Sequence, residues 1–150
     1  MALAGLGVSL AGFAGLISAL DRGPQAHSPV RAWRIRNIVV GGFTITFAGF
    51  ATVALYQVTR EDLDLTVRLA SLLLALANVL PMFTEARSGP AWPSERGRYV
   101  AIGTTVALIA ADLFNVWFAG LGLLQVLFLL QLSGPVSIFI NTVRDVARGN

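Results

Sequence analysis

The stretch YVAIGTTVALIAADLFNVWFAGLGLLQVLFLLQLSGPVSIFINTV, residues 99–143, decides the fold of this chain. It contains few polar residues, and as one helix rising about 1.5 Å per residue it would span roughly twice the hydrocarbon thickness of a bilayer. Because it is too long for one crossing, we expect a helical hairpin. Residues 119–122 mark the turn, since Gly120 tolerates the backbone geometry that a turn requires.

The composition of the whole chain also indicates a membrane protein. Of its 150 residues, 55% are hydrophobic and only 13% are charged. A soluble protein of this length has too much surface to cover with so few charges, so lipid must solvate the remainder. The chain has no cysteine and no lysine, which excludes disulfides, thiolate metal sites and Schiff-base chemistry.

Three further apolar stretches precede the hairpin. The sequence therefore predicts an all-α integral membrane bundle, a single transmembrane domain over residues 1–150, with five helices at about 1–20, 37–58, 63–83, 99–118 and 121–143. The first stretch lacks a basic amino-terminal region and a clear cleavage site, so we interpret it as a retained helix and not as a signal peptide. The proline-containing loops after the first and third spans are expected to be irregular connectors.

All eleven basic residues are arginines, and most of them lie beside alternate ends of the predicted spans. The first loop, the third loop and the carboxyl-terminal tail carry Arg22, Arg31, Arg34, Arg36, Arg87, Arg96, Arg98, Arg144 and Arg148. Only Arg60 and Arg68 lie near the opposite side. The positive-inside rule then predicts an amino terminus outside the cell and a carboxyl terminus in the cytoplasm.

This arrangement also bears on partners and location. Arginines beside apolar spans are the usual determinant of topology, so the net charge of +3 does not indicate nucleic-acid binding. Membrane lipid is the expected surrounding. The chain looks like many small multipass proteins of prokaryotes, and the inner cell membrane is its expected location.

Two charged residues are predicted to lie at membrane depth, where charge is expensive and usually has a partner or a task. Helical rise places Asp112 roughly 9 Å and Arg68 roughly 6 Å from the outer interface. A contact between them is expected if the third and fourth spans are neighbours. The pair is either a proton- or ion-responsive site beside a small polar cavity, or a structural salt bridge. Alternatively, Arg68 pairs with Asp64 one turn away.

Other polar residues share the helix faces of these two charges. Asn115 lies on the face of Asp112, and Ser71 and Asn78 lie on the face of Arg68. In the last span, Pro135 leaves the carbonyl of Gln131 without its helical donor, which marks either a substrate site or a packing kink. The candidate intramembrane polar site therefore comprises Arg68, Asn78, Asp112, Asn115 and Gln131.

Small residues recur at i, i+4 and i+7 in the first two spans, a spacing that suits close helix contacts. The candidate helix-packing residues are Gly5, Ser9, Gly12, Gly42, Thr46 and Gly49. Such faces serve either packing within one subunit or an interface between subunits.

Motifs for catalysis or cofactor binding are absent from the sequence: it has no metal cluster, no nucleophile motif and no phosphate loop. We therefore expect neither an enzyme nor a cofactor. The first functional hypothesis is an interaction or assembly component that forms a homo-oligomer or joins other membrane subunits. The alternatives are a small oligomeric transporter or channel with a polar path near Asp112 and Arg68, and a sensor or effector that acts through its arginine-rich cytoplasmic loops.

Overall fold

The computed structural model describes residues 29–87 and 95–147, together with the isolated helical positions Gly5, Ser9, Gly12 and Gly15. The remainder of the first predicted span lies outside the described residues. The described ranges form four helices, α1 (Pro29–Val58), α2 (Leu63–Arg87), α3 (Glu95–Phe118) and α4 (Leu121–Ala147). These correspond to the second to fifth predicted spans, and the described fold is all-helical, as predicted.

Each helix extends beyond its apolar part at the same end of the bundle. α1 begins at Pro29 and not near residue 37, so the carboxyl-terminal part of the first predicted loop is helical. Proline suits the first position of a helix because its missing N–H has no intrahelical partner there. α2 runs on to Arg87, α3 begins at Glu95, and α4 runs on to Ala147. Hydropathy marks only the apolar part of a helix, whereas backbone hydrogen bonding continues past it.

The hairpin turn lies where the sequence predicts it. α3 ends at Phe118 and α4 begins at Leu121, so Ala119 and Gly120 alone connect them. Ala119 has a φ of 50°, a left-handed conformation that commonly ends a helix. Its N–H donates to the carbonyl of Asn115 at 2.8 Å. A two-residue connection requires α3 and α4 to be antiparallel neighbours.

Around the bundle, α1 contacts α2 and α4, and α3 contacts the same two helices on the other side. Short connections and antiparallel contacts give an up-down-up-down arrangement. The apolar core comes from α1, α2 and α4: Ile45, Ala48, Val67, Ala70, Leu74, Leu124, Phe128 and Leu132. Among the described residues, the buried positions of α3 are Asp112 and Asn115 alone. Polar contacts therefore hold α3 in the bundle.

α1 and α4 approach each other closely where Gly41 faces Pro135. A Cβ added at Gly41 would clash with the proline ring, so only glycine permits this approach. Pro135 is buried and lies inside α4, which continues through it as one helix. The proline ring therefore packs against α1 at this point.

The exterior of the bundle is apolar. Phe47 and Trp117 are 68% and 83% exposed, and many other large apolar side chains also face outward. Three helices are long and apolar enough to cross a membrane, namely Pro29–Val58, Glu95–Phe118 and Leu121–Asp145. An apolar surface of this extent needs lipid as its solvent. These features indicate a membrane protein.

Charge divides the two ends of the bundle. At one end, called here the arginine-rich end, lie the start of α1, the start of α3 and the end of α4, with Arg31, Arg34, Arg36, Arg96, Arg98 and Arg144. There Arg34 forms an ion pair with Asp145, which joins the start of α1 to the end of α4. The opposite end carries the α1–α2 turn, where Asp62 caps α2 by accepting a hydrogen bond from the Leu65 N–H at 3.0 Å.

Candidate functional site

A set of polar side chains crosses the bundle from α2 through α3 to α4. It consists of Arg68, Ser71, Asn78, Asp112, Asn115 and Gln131, and is called here the polar layer. α3 contributes the central members, because its polar stripe faces inward between α2 and α4. Every residue of the predicted intramembrane polar site belongs to this layer, and Ser71 joins it. The contacts within it differ in part from those expected.

Asp112 lies at the centre of the polar layer and is fully buried. Its Oδ2 accepts a hydrogen bond from Asn78 Nδ2 at 3.3 Å and another from Gln131 Nε2 at 3.1 Å. Its Oδ1 is buried and has no hydrogen-bond partner among the described residues. A carboxyl oxygen buried without a donor costs free energy, typically about 1–3 kcal/mol for a polar group. Asp112 is therefore only half satisfied by the protein around it.

Asn115, one turn along α3, is fully satisfied. Its Nδ2 donates to Ser71 Oγ on α2 at 2.9 Å, and its Oδ1 accepts from the Gly120 N–H at 3.0 Å. One side chain thus ties α3 to α2 and fixes the hairpin turn. A Cβ at Gly120 would lie 3.3 Å from the same amide oxygen, so a larger residue would crowd this contact.

Arg68 does not pair with Asp112, and the expected contact between the two charges is wrong. Arg68 Nη1 donates instead to the carbonyl of Val116 at 2.7 Å. Val116 belongs to the last turn of α3, where backbone carbonyls lack helical donors and a cation is favourable. In the described part of the chain no ion pair joins Arg68 to Asp64 either. Arg68 therefore caps the end of α3, and the side-chain amides of Asn78 and Gln131 donate hydrogen bonds to Asp112.

A cavity of about 400 Å³ lies between the helices, in the half of the bundle nearer the arginine-rich end. Asn78 and Gln131 line it, and through them it reaches Asp112. Polar lining from the other described residues comes from Trp33, Asn37, Thr44, Thr104, Thr105, Ser133 and Ser137. Asp112, Arg68 and Asn115 are not among the lining residues, and of the predicted polar site only Asn78 and Gln131 face the cavity.

Sequence patterns could not reveal this cavity. Its wall combines single faces of all four described helices, and their relative rotation is set by packing. Trp33 also lines the cavity. The signal available in the sequence was the set of hydroxyl and amide residues within the apolar stretches of α1, α3 and α4.

The candidate packing faces have different surroundings. On α1, Gly42 and Thr46 are buried and Gly49 is partly buried, so this face packs within the subunit. On the first predicted span, Gly5, Ser9, Gly12 and Gly15 are helical and exposed, and a Cβ at any of these three glycines would meet nothing within 4 Å. The described residues include no group of three or more His, Cys, Asp or Glu side chains that could hold a metal ion.

Comparison with protein-family models, with curated proteins and with solved structures finds no match to this chain. Function must therefore be inferred from the polar layer and the cavity themselves.

The Asn115–Ser71 hydrogen bond should be measurable as a coupling between α3 and α2. In a double-mutant cycle of Asn115→Ala and Ser71→Ala, we expect a coupling free energy of about 0.6 kcal/mol, and at most about 1.7 kcal/mol, the range found for such bonds in membrane bundles. Unfolding of the purified protein in mixed micelles supplies the four free energies. A cycle of Asn115→Ala with Thr104→Ala is the control, because the Thr104 hydroxyl bonds to its own helix. Equal coupling in both cycles would contradict this account of how α3 is held.

Proposed function

We propose that this protein is a small membrane transporter that binds a small solute in the cavity between its helices. The observation that carries the proposal is the half-satisfied carboxyl of Asp112 behind a cavity large enough for an organic molecule. Binding cavities of roughly 300–1,000 Å³ with a few convergent polar groups are typical of small-molecule sites. An intramembrane carboxyl with no complete set of protein partners is a functional site by default.

The position of the cavity supports transport more than an open channel. The cavity occupies one half of the bundle and ends at the polar layer. On the other side of that layer, the apolar core continues with Val67, Leu124 and Leu127. A site in one half of the bundle, with a packed apolar core in the other half, is compatible with alternating access.

We further propose five crossings in the inner membrane, with the arginine-rich end in the cytoplasm. The clustering of arginines at one end of the described bundle supports this orientation through the positive-inside rule. The apolar first stretch supplies the fifth crossing, and an odd number of crossings leaves the amino terminus outside.

A second proposal is that the protein assembles with itself or with other membrane subunits. Its support is the small-residue face at Gly5, Ser9, Gly12 and Gly15, where a Cβ added at any of the three glycines would meet nothing within 4 Å. Close helix contact through small residues is a common route to association in lipid. The two proposals are compatible, because a bundle of this size acting as a transporter is expected to need a partner copy.

The described geometry does not favour the hypothesis of a lipid sensor that acts through the arginines of the first loop. Arg34 is engaged by Asp145, and Arg31 is buried. Of the three arginines at the start of α1, only Arg36 is exposed.

The orientation is tested by reporters fused at several positions. A fluorescent protein fused after Asn150 should fold and fluoresce in the cytoplasm, and alkaline phosphatase fused there should be inactive. The same pair of reporters inserted after Glu61 should give the opposite result, because the α1–α2 turn lies at the other end of the bundle. Phosphatase activity from the carboxyl-terminal fusion would contradict the proposed topology.

Transport is tested by filling the cavity. Thr44 lines the cavity on α1, whereas Thr52, two turns further along α1, is also partly buried but does not line it. Three probes that share a phenylethyl skeleton and differ in charge, 2-phenylethylguanidinium, 2-phenylethylurea and 3-phenylpropionate, are added to the protein in nanodiscs. At least one should change the fluorescence of Trp33, measured with Trp92 and Trp117 replaced by phenylalanine.

Thr44→Phe should reduce that binding by at least about tenfold, because the added ring occupies the cavity, and Thr52→Phe should leave it unchanged. Proteoliposomes with the wild-type protein should accumulate the bound charged probe, and those with Thr44→Phe should not. Binding of none of the probes, or equal binding by both variants, would overturn the proposed function.

Assembly is tested on the open small-residue face. Gly12→Leu should shift the protein to the monomer in native gels and in cross-linking within native membranes, since a larger side chain keeps the helix backbones apart. Gly103→Leu is the matched control, because Gly103 is likewise exposed with open space around it but lies on α3. If the Gly12→Leu protein assembles as the wild type does, this face does not mediate association.

A further inference from the structure

We infer that the cavity takes a small organic cation that carries N–H donors, such as an ammonium or guanidinium compound. The inference rests on the proposed function and names the class of solute. It comes from the direction of the hydrogen bonds around the cavity and from the charge behind its wall.

Three of the five hydroxyl groups among the described residues that line the cavity donate their hydrogens to their own helices. Thr104 Oγ1 donates to the carbonyl of Val100 at 2.8 Å, and Thr105 Oγ1 donates to that of Ala101 at 3.0 Å. On α4, Ser133 Oγ donates to the carbonyl of Leu130 at 2.6 Å. A hydroxyl that donates to its own helix retains its oxygen lone pairs, so each of these groups presents an acceptor to a solute.

The amides on the cavity wall also donate hydrogen bonds to groups of the protein. Asn78 and Gln131 donate to Asp112, and Asn37 Nδ2 donates to the carbonyl of Trp33 at 3.0 Å. Each amide thus directs one N–H toward the protein and retains its carbonyl oxygen and a second N–H for a ligand. Together with the hydroxyl oxygens, these carbonyls make acceptors more numerous than free donors on the polar wall, which favours a solute rich in donors.

Charge points to the same class of solute. No arginine, aspartate, glutamate or histidine is among the described residues that line the cavity. Asp112 lies behind Asn78 and Gln131, and the nearest candidate counter-ion on α2, Arg68, is held by the Val116 carbonyl. A buried carboxylate without a positive partner is costly, so a cation in the cavity would stabilise the ionised form of Asp112 and be attracted by it, whereas an anion would oppose that ionisation.

The indole of Trp33 adds a further attraction, because it lines the cavity near the arginine-rich end. The face of an indole attracts ammonium and guanidinium groups through its ring quadrupole. A cation bound between this ring and the amides of Asn78 and Gln131 would lie close to the carboxylate without needing to displace either amide.

The test compares two probes that have the same shape and differ in charge. 2-Phenylethylguanidinium and 2-phenylethylurea have the same skeleton and both carry N–H donors, but only the first is charged. Titrated against Trp33 fluorescence in the protein that lacks the other tryptophans, the guanidinium should bind at least about tenfold more tightly than the urea. 3-Phenylpropionate should bind more weakly than either.

Asp112→Asn should reduce the preference for the guanidinium to about twofold, because the substitution keeps the shape and removes the charge. Asp145→Asn, the same change at the partly buried ion pair with Arg34 and outside the lining of the cavity, should leave the preference intact. If Asp112→Asn does not fold, the comparison of the guanidinium with the urea in the wild-type protein still tests the inference. If the urea or the propionate binds as tightly as the guanidinium, and Thr44→Phe blocks that binding, the inference is wrong while the proposed function stands. If no probe binds, both are wrong.

Discussion

Hydrogen bonding by two buried side chains of α3, Asp112 and Asn115, is the constraint on which the bundle depends. Lipid is as apolar as a leucine side chain, so apolar contact alone gives little reason for a helix to leave lipid for a neighbour. The other described helices share an apolar core, whereas the described buried positions of α3 are polar. These groups cannot face hydrocarbon without a large cost, and α2 and α4 supply their partners. Polarity, more than shape, thus determines where α3 lies.

The same constraint produces the candidate site. A polar layer that satisfied every atom would be purely structural, as it is at Asn115, which has a partner for both ends of its amide. Asp112 departs from that pattern, since the two donors it has among the described residues converge on one oxygen and leave the other without a partner from them. The cavity begins where this incomplete satisfaction occurs. The residues of the polar layer that hold α3 in the bundle are therefore also those of the candidate site. A substitution among them would affect both the stability of the bundle and the proposed transport.

Much of the architecture could be predicted from the sequence, because the cost of burying charge and backbone in lipid leaves few choices. The two-residue turn after Phe118 follows from span length. Asn78 and Gln131, which the sequence groups with Asp112, do hydrogen-bond to it, whereas Asn115 bonds to Ser71 and to the turn. The partner of Arg68 could not be predicted, because both a carboxylate and the unpaired carbonyls at the end of α3 were within its reach. The cavity also escaped prediction, since it depends on how four helices rotate against one another. At the arginine-rich end, α1 and α3 begin several residues before their apolar stretches. Hydropathy does not predict where these helices begin, because the added turns are polar.

The tight connection between α3 and α4 has a consequence for biosynthesis. Ala119 and Gly120 alone separate the two helices, so α4 follows α3 out of the ribosome after two residues. Ser71 and Asn78 are already made when α3 emerges, whereas Gln131 follows only later. In the order of synthesis, the partners of α3 on α2 are therefore present before its partner on α4. The hydrogen bond from Gln131 to Asp112 is the last of these contacts that can form.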